Sequence, residues 1–195
     1  MAATEHKGKP IVEFSDAAAW EAWLEANHRA SEGVWLKFAK KGGGRSTVNH
    51  AQALELALCF GWIDGQVATF DREYFLQRFT RRTRRSRWSE VNRAAASALI
   101  ESGRMRPGGA EQVRAAQADG RWEQAYEPQS RATVPPDLQA ALDGEPTAKA
   151  FFETLTGPKR YAFLYRLTTV KRPETRAKRI ALYIEMLRER RTYHD

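Results

Sequence analysis

Six of the ten residues from Arg78 to Arg87 are arginine, and Trp88-Ser89 follows with Asn92 one turn later. Ser89 is placed to cap a helix that starts at residue 90. The arginine run therefore ends at a helix N-terminus, where free N–H groups and a partial positive charge favour an anion. A guanidinium forks onto phosphate or carboxylate and also stacks on aromatic faces. Tyr74, Phe79 and Trp88 supply rings nearby, the combination that grips single-stranded nucleic acid. The stretch matches no RNP pattern and no zinc finger, and its plain alternative is a solvated loop of Arg–Glu pairs. The candidate ligand-binding residues here are Arg78, Arg82, Ser86, Trp88, Ser89 and Asn92.

Two further segments carry chemistry-bearing residues. Phe60-Gly61-Trp62-Ile63-Asp64-Gly65 predicts a tight helix-to-strand junction that adds Trp62 and Asp64 to the candidates. Asp64 could accept a proton if a second titratable group converged on it; otherwise Trp62 is core and Asp64 satisfies loop amides. Further on, Arg172, Arg176 and Arg179 share one face of a helix, because steps of three and four residues align. They form a basic helix face opposite an apolar stripe of Ala177, Ile180, Ile184 and Leu187. Cys59 reads as a core thiol without a His partner. GxSxG, P-loop, GxGxxG and HExxH patterns are missing from the sequence, so no catalytic residue and no cofactor are assigned. His6, His28, His50 and His194 are scattered without ligand spacing, so no metal site is expected.

The charge that surrounds these segments is polarised. The chain has 195 residues and a formal net charge of +8. Ten arginines face three glutamates between Arg72 and Arg106, and eleven lysines and arginines face three glutamates between Lys159 and Arg191, while the rest is net acidic. Two basic stretches of this kind attract anions. Hydrophobic residues at 42% suffice for a core, and no run reaches the roughly 18 apolar residues of a membrane helix. One cysteine and a start, MAATEHKGKP, without a secretory apolar stretch make the expected location cytoplasmic.

The elements that must position these residues follow from period and punctuation. Helices are expected near 15–28 with Ser15 as cap, near 48–59 capped by Thr47, over 90–102 and near 108–119. A strand at 34–40 joins a hairpin over 62–80 in a small antiparallel sheet, and Gly42-Gly43-Gly44 makes a turn. The prolines of 127–136 mark a linker. Beyond it the pattern is helical, with a short piece near 137–142 and helices opening at Pro146, Pro158 and Pro173. A hairpin that begins at Trp62 returns the chain through Arg78 towards its origin. Gly61–Gly65 and Arg82–Asn92 are therefore expected to be neighbours around one concave site.

In order, Trp20…Trp23-Leu24, Gly33-Val34-Trp35-Leu36, Ala57 through Gly65, Arg78-Phe79-Thr80 with Arg82, Ser86-x-Trp88-Ser89-x-x-Asn92, Gly103-x-Met105 and Pro173-Glu174-Thr175-Arg176-x-Lys178-Arg179-Ile180 resemble the bacterial YdeI/OmpD-associated, or bacteriocin-protection, family. The resemblance spans nearly the whole chain, with Gly61–Asn92 its most specific part. Arg81 stands where the family often carries proline, which implies a looser and more basic loop. The resemblance implies a link to envelope stress and to tolerance of antimicrobial peptides or bacteriocins, and it supplies no reaction. The resulting expectation is an α+β protein: a small antiparallel sheet with flanking helices over 11–125, followed by a C-terminal helical part over 134–195. Its expected role is that of a non-enzymatic stress or peptide-protection protein that binds an anionic ligand or partner through its arginine-rich loop. A nucleic-acid binder, and an enzyme with a small-molecule pocket around Asp64 and Arg82, stay open as alternatives.

Overall fold

The computed structural model describes residues 4–40, 42 and 45–193, so Gly43, Gly44 and His194 lie outside the described residues. The chain divides into two compact units, Met1–Ala125 and Tyr126–Asp195.

In the first unit, β3 (Val34–Ala39), β4 (Trp62–Thr69) and β5 (Tyr74–Arg81) form the expected antiparallel sheet, in the order β3-β5-β4. Two strands that the sequence reading passed over extend it: β1 (Glu5–His6) and β2 (Lys9–Val12) form a hairpin, and β2 lies parallel to β3. Lys7 and Gly8 both hold positive φ, 48° and 69°, the backbone of a two-residue hairpin turn. Strands of two and four residues around a Lys-Gly turn carry too little apolar alternation to announce themselves.

One face of the sheet is buried by α1 (Ala17–Asn27) and α2 (His50–Cys59), with α3 (Glu90–Glu101) and α4 (Pro107–Ala118) packed on α2. Tryptophans stitch these layers together: Trp20 donates to Ala53 O at 3.0 Å, and Trp62 donates to His28 O at 3.0 Å. Trp20 also meets Phe79 edge-on at 5.7 Å. Two expected caps are corrected. Asp16, held by Ser15, accepts the Ala19 amide, and Asn49 forms a reciprocal capping box with Gln52. Asp and Asn place an acceptor one atom further out than Ser does, and Thr47 is occupied in accepting from Ala39 N. Ser89 does cap α3.

The second unit holds α5 (Pro136–Asp143), α6 (Pro146–Thr154), α7 (Gly157–Thr168) and α8 (Pro173–Arg188), each with proline in its first turn. Leu138, Phe152, Phe163, Leu167, Tyr183 and Leu187 make its core, where burial pushes the Tyr183 hydroxyl well above the ordinary tyrosine range.

The tightest joint in the first unit lies where α2 ends. Gly61 has φ +76°, and a Cβ on it would stand 2.6 Å from Gly108 O. Gly61→Ala is expected to cost about 2–4 kcal/mol, from backbone strain and collision together. Gly65→Ala, whose Cβ meets only Arg78 O at 3.8 Å, is expected to stay within about 1 kcal/mol. Urea unfolding midpoints of the two variants check this contrast.

Candidate functional site

The return of the β4–β5 hairpin brings the two halves of the expected site together at one point. Arg82 N–H donates to Gly61 O at 2.9 Å, continuing the ladder past Trp62↔Arg81. Gly61, Arg81 and Arg82 line a concavity of about 190 Å³ with Arg29, His28 and the first turns of α4. Each wall has a local cause. His28 caps the C-terminus of α1; its Nδ1–H donates to Leu24 O at 2.8 Å and its ring lies against Phe60. Arg81 is anchored by donating Nη1–H to Arg29 O at 2.9 Å. The α4 helix starts here because Arg106 N–H bonds Cys59 O at 3.2 Å, and its N-terminus has no side-chain cap.

The loop after β5 is built from the predicted residues, most of which hold it in shape. The Arg82 guanidinium lies 3.6 Å from the centre of the Trp88 ring and donates to Arg87 O at 3.1 Å. Both side chains are buried. Ser86 Oγ accepts the Thr83 amide, and Arg121, paired with Asp119, donates to the carbonyls of Thr83 and Ser86. That pairing holds the Asp119 carboxyl below its usual range, chiefly through the Arg121 hydrogen bond. Ser89 Oγ accepts from Asn92 N at 3.1 Å. What this frame presents to solvent is Arg84 and Arg85, both exposed. The aromatic faces read as stacking platforms are used elsewhere: Tyr74, Phe79 and Trp88 are all buried, as is Trp62. Packing the core consumes these rings.

Asp64 is not in the lining of the concavity; its side-chain partners are His50, at the start of α2, and Gln77. His50 donates Nε2–H to Asp64 Oδ2 at 3.0 Å, and Gln77 reaches the same oxygen at 3.3 Å and Gly65 O at 2.9 Å. A bulge follows, with Gly65 and Gln66 opposing one residue of β5. His50 is the second titratable group that sequence reasoning could not place. The available signal was geometric: a ten-residue helix is about 15 Å long, and a strand leaving its end runs back towards its start within a few residues. The arrangement orients an imidazole with Nδ1 left as proton acceptor. Arg78 lies across from Trp35, with its Nε buried and unpartnered among the described residues.

On α8, two of the three basic-face residues hold the unit together. Arg176 grips Asp137 through two hydrogen bonds and donates to Leu167 O, and Arg179 donates to Arg166 O. Both therefore cover the carbonyl end of α7, and Arg172 stays exposed. Among the described residues no group of three or more His, Cys, Asp or Glu is arranged to hold a metal ion. Among the described residues no helix is long and apolar enough to cross a membrane.

Residues 12–112 match the family model described as Domain of unknown function (DUF8412). The chain belongs to the DUF8412 family. In this DUF8412 chain, residues 131–190 match a second model, OmdA, described as Bacteriocin-protection, YdeI or OmpD-Associated. The bacteriocin-protection resemblance thus rests on the helices of the second unit, while Gly61–Asn92 falls inside the DUF8412 match. No curated protein and no solved structure matches the chain.

Two outcomes are expected. Ser89→Ala costs roughly 0.5–2 kcal/mol, read from thermal unfolding, because an α3 amide loses its acceptor. The Arg176 hydrogen bond holds the Asp137 carboxyl below its usual range. Its stabilisation is therefore full above the ordinary carboxylate pKa of about 4 and is lost as pH falls through the lower folded value. Relative to Asp137→Asn, the wild-type chain should keep its advantage from pH 5 to 8 and lose it in acid.

Proposed function

We propose that this DUF8412 protein is a non-enzymatic anion receptor of the bacteriocin-protection kind. It acts in the cytoplasm during envelope stress and engages an anionic ligand or partner through the Arg84–Arg85 tip of its arginine-rich loop. One observation carries the reading. Arg84 and Arg85 are exposed and make no ion pair among the described residues, yet the backbone beneath them is fixed by Arg82 on Trp88, by Ser86 on Thr83 and by Arg121. A solvated charge run needs no such frame, and a receptor whose loop is already ordered loses little backbone entropy on binding.

The charge balance sets the sign of the partner. A chain of net charge +8 repels cationic peptides, so protection by direct capture of such peptides is disfavoured and an anionic partner is favoured. Because the neighbouring rings are buried, an oligonucleotide would be held by its phosphates, without base stacking and hence without sequence preference.

The test is binding of polyphosphate and of a single-stranded oligonucleotide across a salt series. Arg84→Ala with Arg85→Ala should weaken both and flatten the log–log salt slope by about 0.7 per lost contact on the oligonucleotide. Stability should change by less than about 1 kcal/mol. A wild-type chain with no affinity for either polyanion at low salt contradicts the proposal.

A further inference from the structure

We infer that the concavity beside Gly61 is a receptor for a single phosphate group, free or as a phosphomonoester. It is a site separate from the Arg84–Arg85 tip, and the two stand or fall independently.

Arg29, Arg81 and Arg82 line a space of about 190 Å³, roughly the volume of six water molecules at about 30 Å³ each. The Arg82 guanidinium is spent on Trp88 and Arg87 O, so Arg29 and Arg81 are the two that can turn to a ligand. Arg29 and Arg81 make no ion pair among the described residues; Arg81 donates to the main-chain carbonyl of Arg29. This contrasts with Arg45, Arg104, Arg106 and Arg121 of the same unit, each of which has a carboxylate within 4 Å. Among the described residues Glu111 is the one acid in the lining, and Glu32 lies within electrostatic reach of Arg81. Gathered arginines repel one another unless an anion comes between them.

The floor is the start of α4, a twelve-residue helix whose N-terminus has no side-chain cap. Gly108 lies in its first turn and lines the space, and a Cβ there would stand 3.0 Å from Phe60 O and 3.5 Å from His28 Cδ2. The bare glycine leaves main chain facing the concavity at the positive end of the helix, where phosphate is favoured. His28 adds a ring nitrogen. Its Nδ1–H is committed to Leu24 O, which leaves Nε2, bonded to the Cδ2 beside Gly108, as the free one. Forked guanidiniums and a helix N-terminus form a donor set matched to a phosphate, and Nε2, the acceptor of that tautomer, can take the hydrogen bond of a protonated phosphate oxygen. The volume holds that group with a few attached carbons.

The experiment is calorimetric titration of the full chain with inorganic phosphate and, separately, with glycerol 3-phosphate at low ionic strength. Arg29→Ala should weaken binding about tenfold or more, as expected for a lost charge-assisted hydrogen bond. Glu111→Gln should tighten it, because an opposing charge in the lining is removed. The Arg84→Ala, Arg85→Ala double variant should bind phosphate as the wild type does. Tighter binding of the ester identifies a phosphomonoester as the ligand, and equal binding identifies free phosphate; both support the site. No binding of either probe at 10 mM (on the order of the weakest affinities calorimetry resolves) overturns it. So does an unchanged affinity in Arg29→Ala, or a loss confined to the Arg84/Arg85 variant. If Arg29→Ala fails to fold, Glu111→Gln decides, compared again at about 0.1 M salt, where screening over about 10 Å leaves only a ligand near that carboxylate able to respond.

Discussion

Gly61 ends α2 with a left-handed backbone, and Gly108 O sits where its side chain would begin. That contact of main chain on main chain allows α4 to start against the last carbonyls of α2, with Arg106 N–H on Cys59 O. It also places the Gly61 carbonyl where the returning hairpin can end on it through Arg82 N–H. Gly109 is pressed equally hard, since a Cβ on it would meet Cys59 O at 2.3 Å. The junction of α2, β4, β5 and α4 therefore tolerates no side chain at these positions, and the arginine loop leaves from it at Arg82, whose N–H is held by Gly61 O.

The arginines sort by what they touch. Arg82, Arg121, Arg176 and Arg179 spend their donors on carbonyls, a ring or a carboxylate inside their own unit. These side chains tie loops and helix ends that would otherwise leave acceptors unmet. Arg29, Arg81, Arg84 and Arg85 have exposed side chains without ion pairs among the described residues. A basic composition thus conceals two populations, one structural and one available, and only the second bears on a ligand. Asp64 belongs to neither group. With His50 and Gln77 it forms a polar cluster of its own, away from the arginines that sequence spacing had grouped with it.

Much of the architecture was legible because it rests on local rules. Helices α3 and α4, the hairpin and the proline-opened helices of the second unit follow from caps, period and proline placement. The β1–β2 hairpin escaped because its strands are short and polar, and its parallel pairing with β3 is a long-range choice. Both missed caps had a Ser or Thr close by: Ser15 spends its hydroxyl on the neighbouring Asp16 carboxylate, and Thr47 is taken by the Ala39 amide. The adjacency of Gly61 and Arg82 was readable from hairpin geometry. The burial of Trp88 and the inward turn of Arg82 were not, since exposure depends on what packs above a residue. Arg29 and His28 were invisible for the same reason: they reach the site from the far end of α1.

The central claim is that the available arginines of the first unit bind anions, at the loop tip and separately beside Gly61, and that Arg176 and Arg179 do not. Backbone amide NMR of the full chain titrated with polyphosphate tests it most directly. Shifts should concentrate at residues 83–86 and around Gly61, Gly108 and Arg29, with Arg176 and Arg179 unmoved. Shifts centred on α8, or none in the first unit at low salt, would contradict the account.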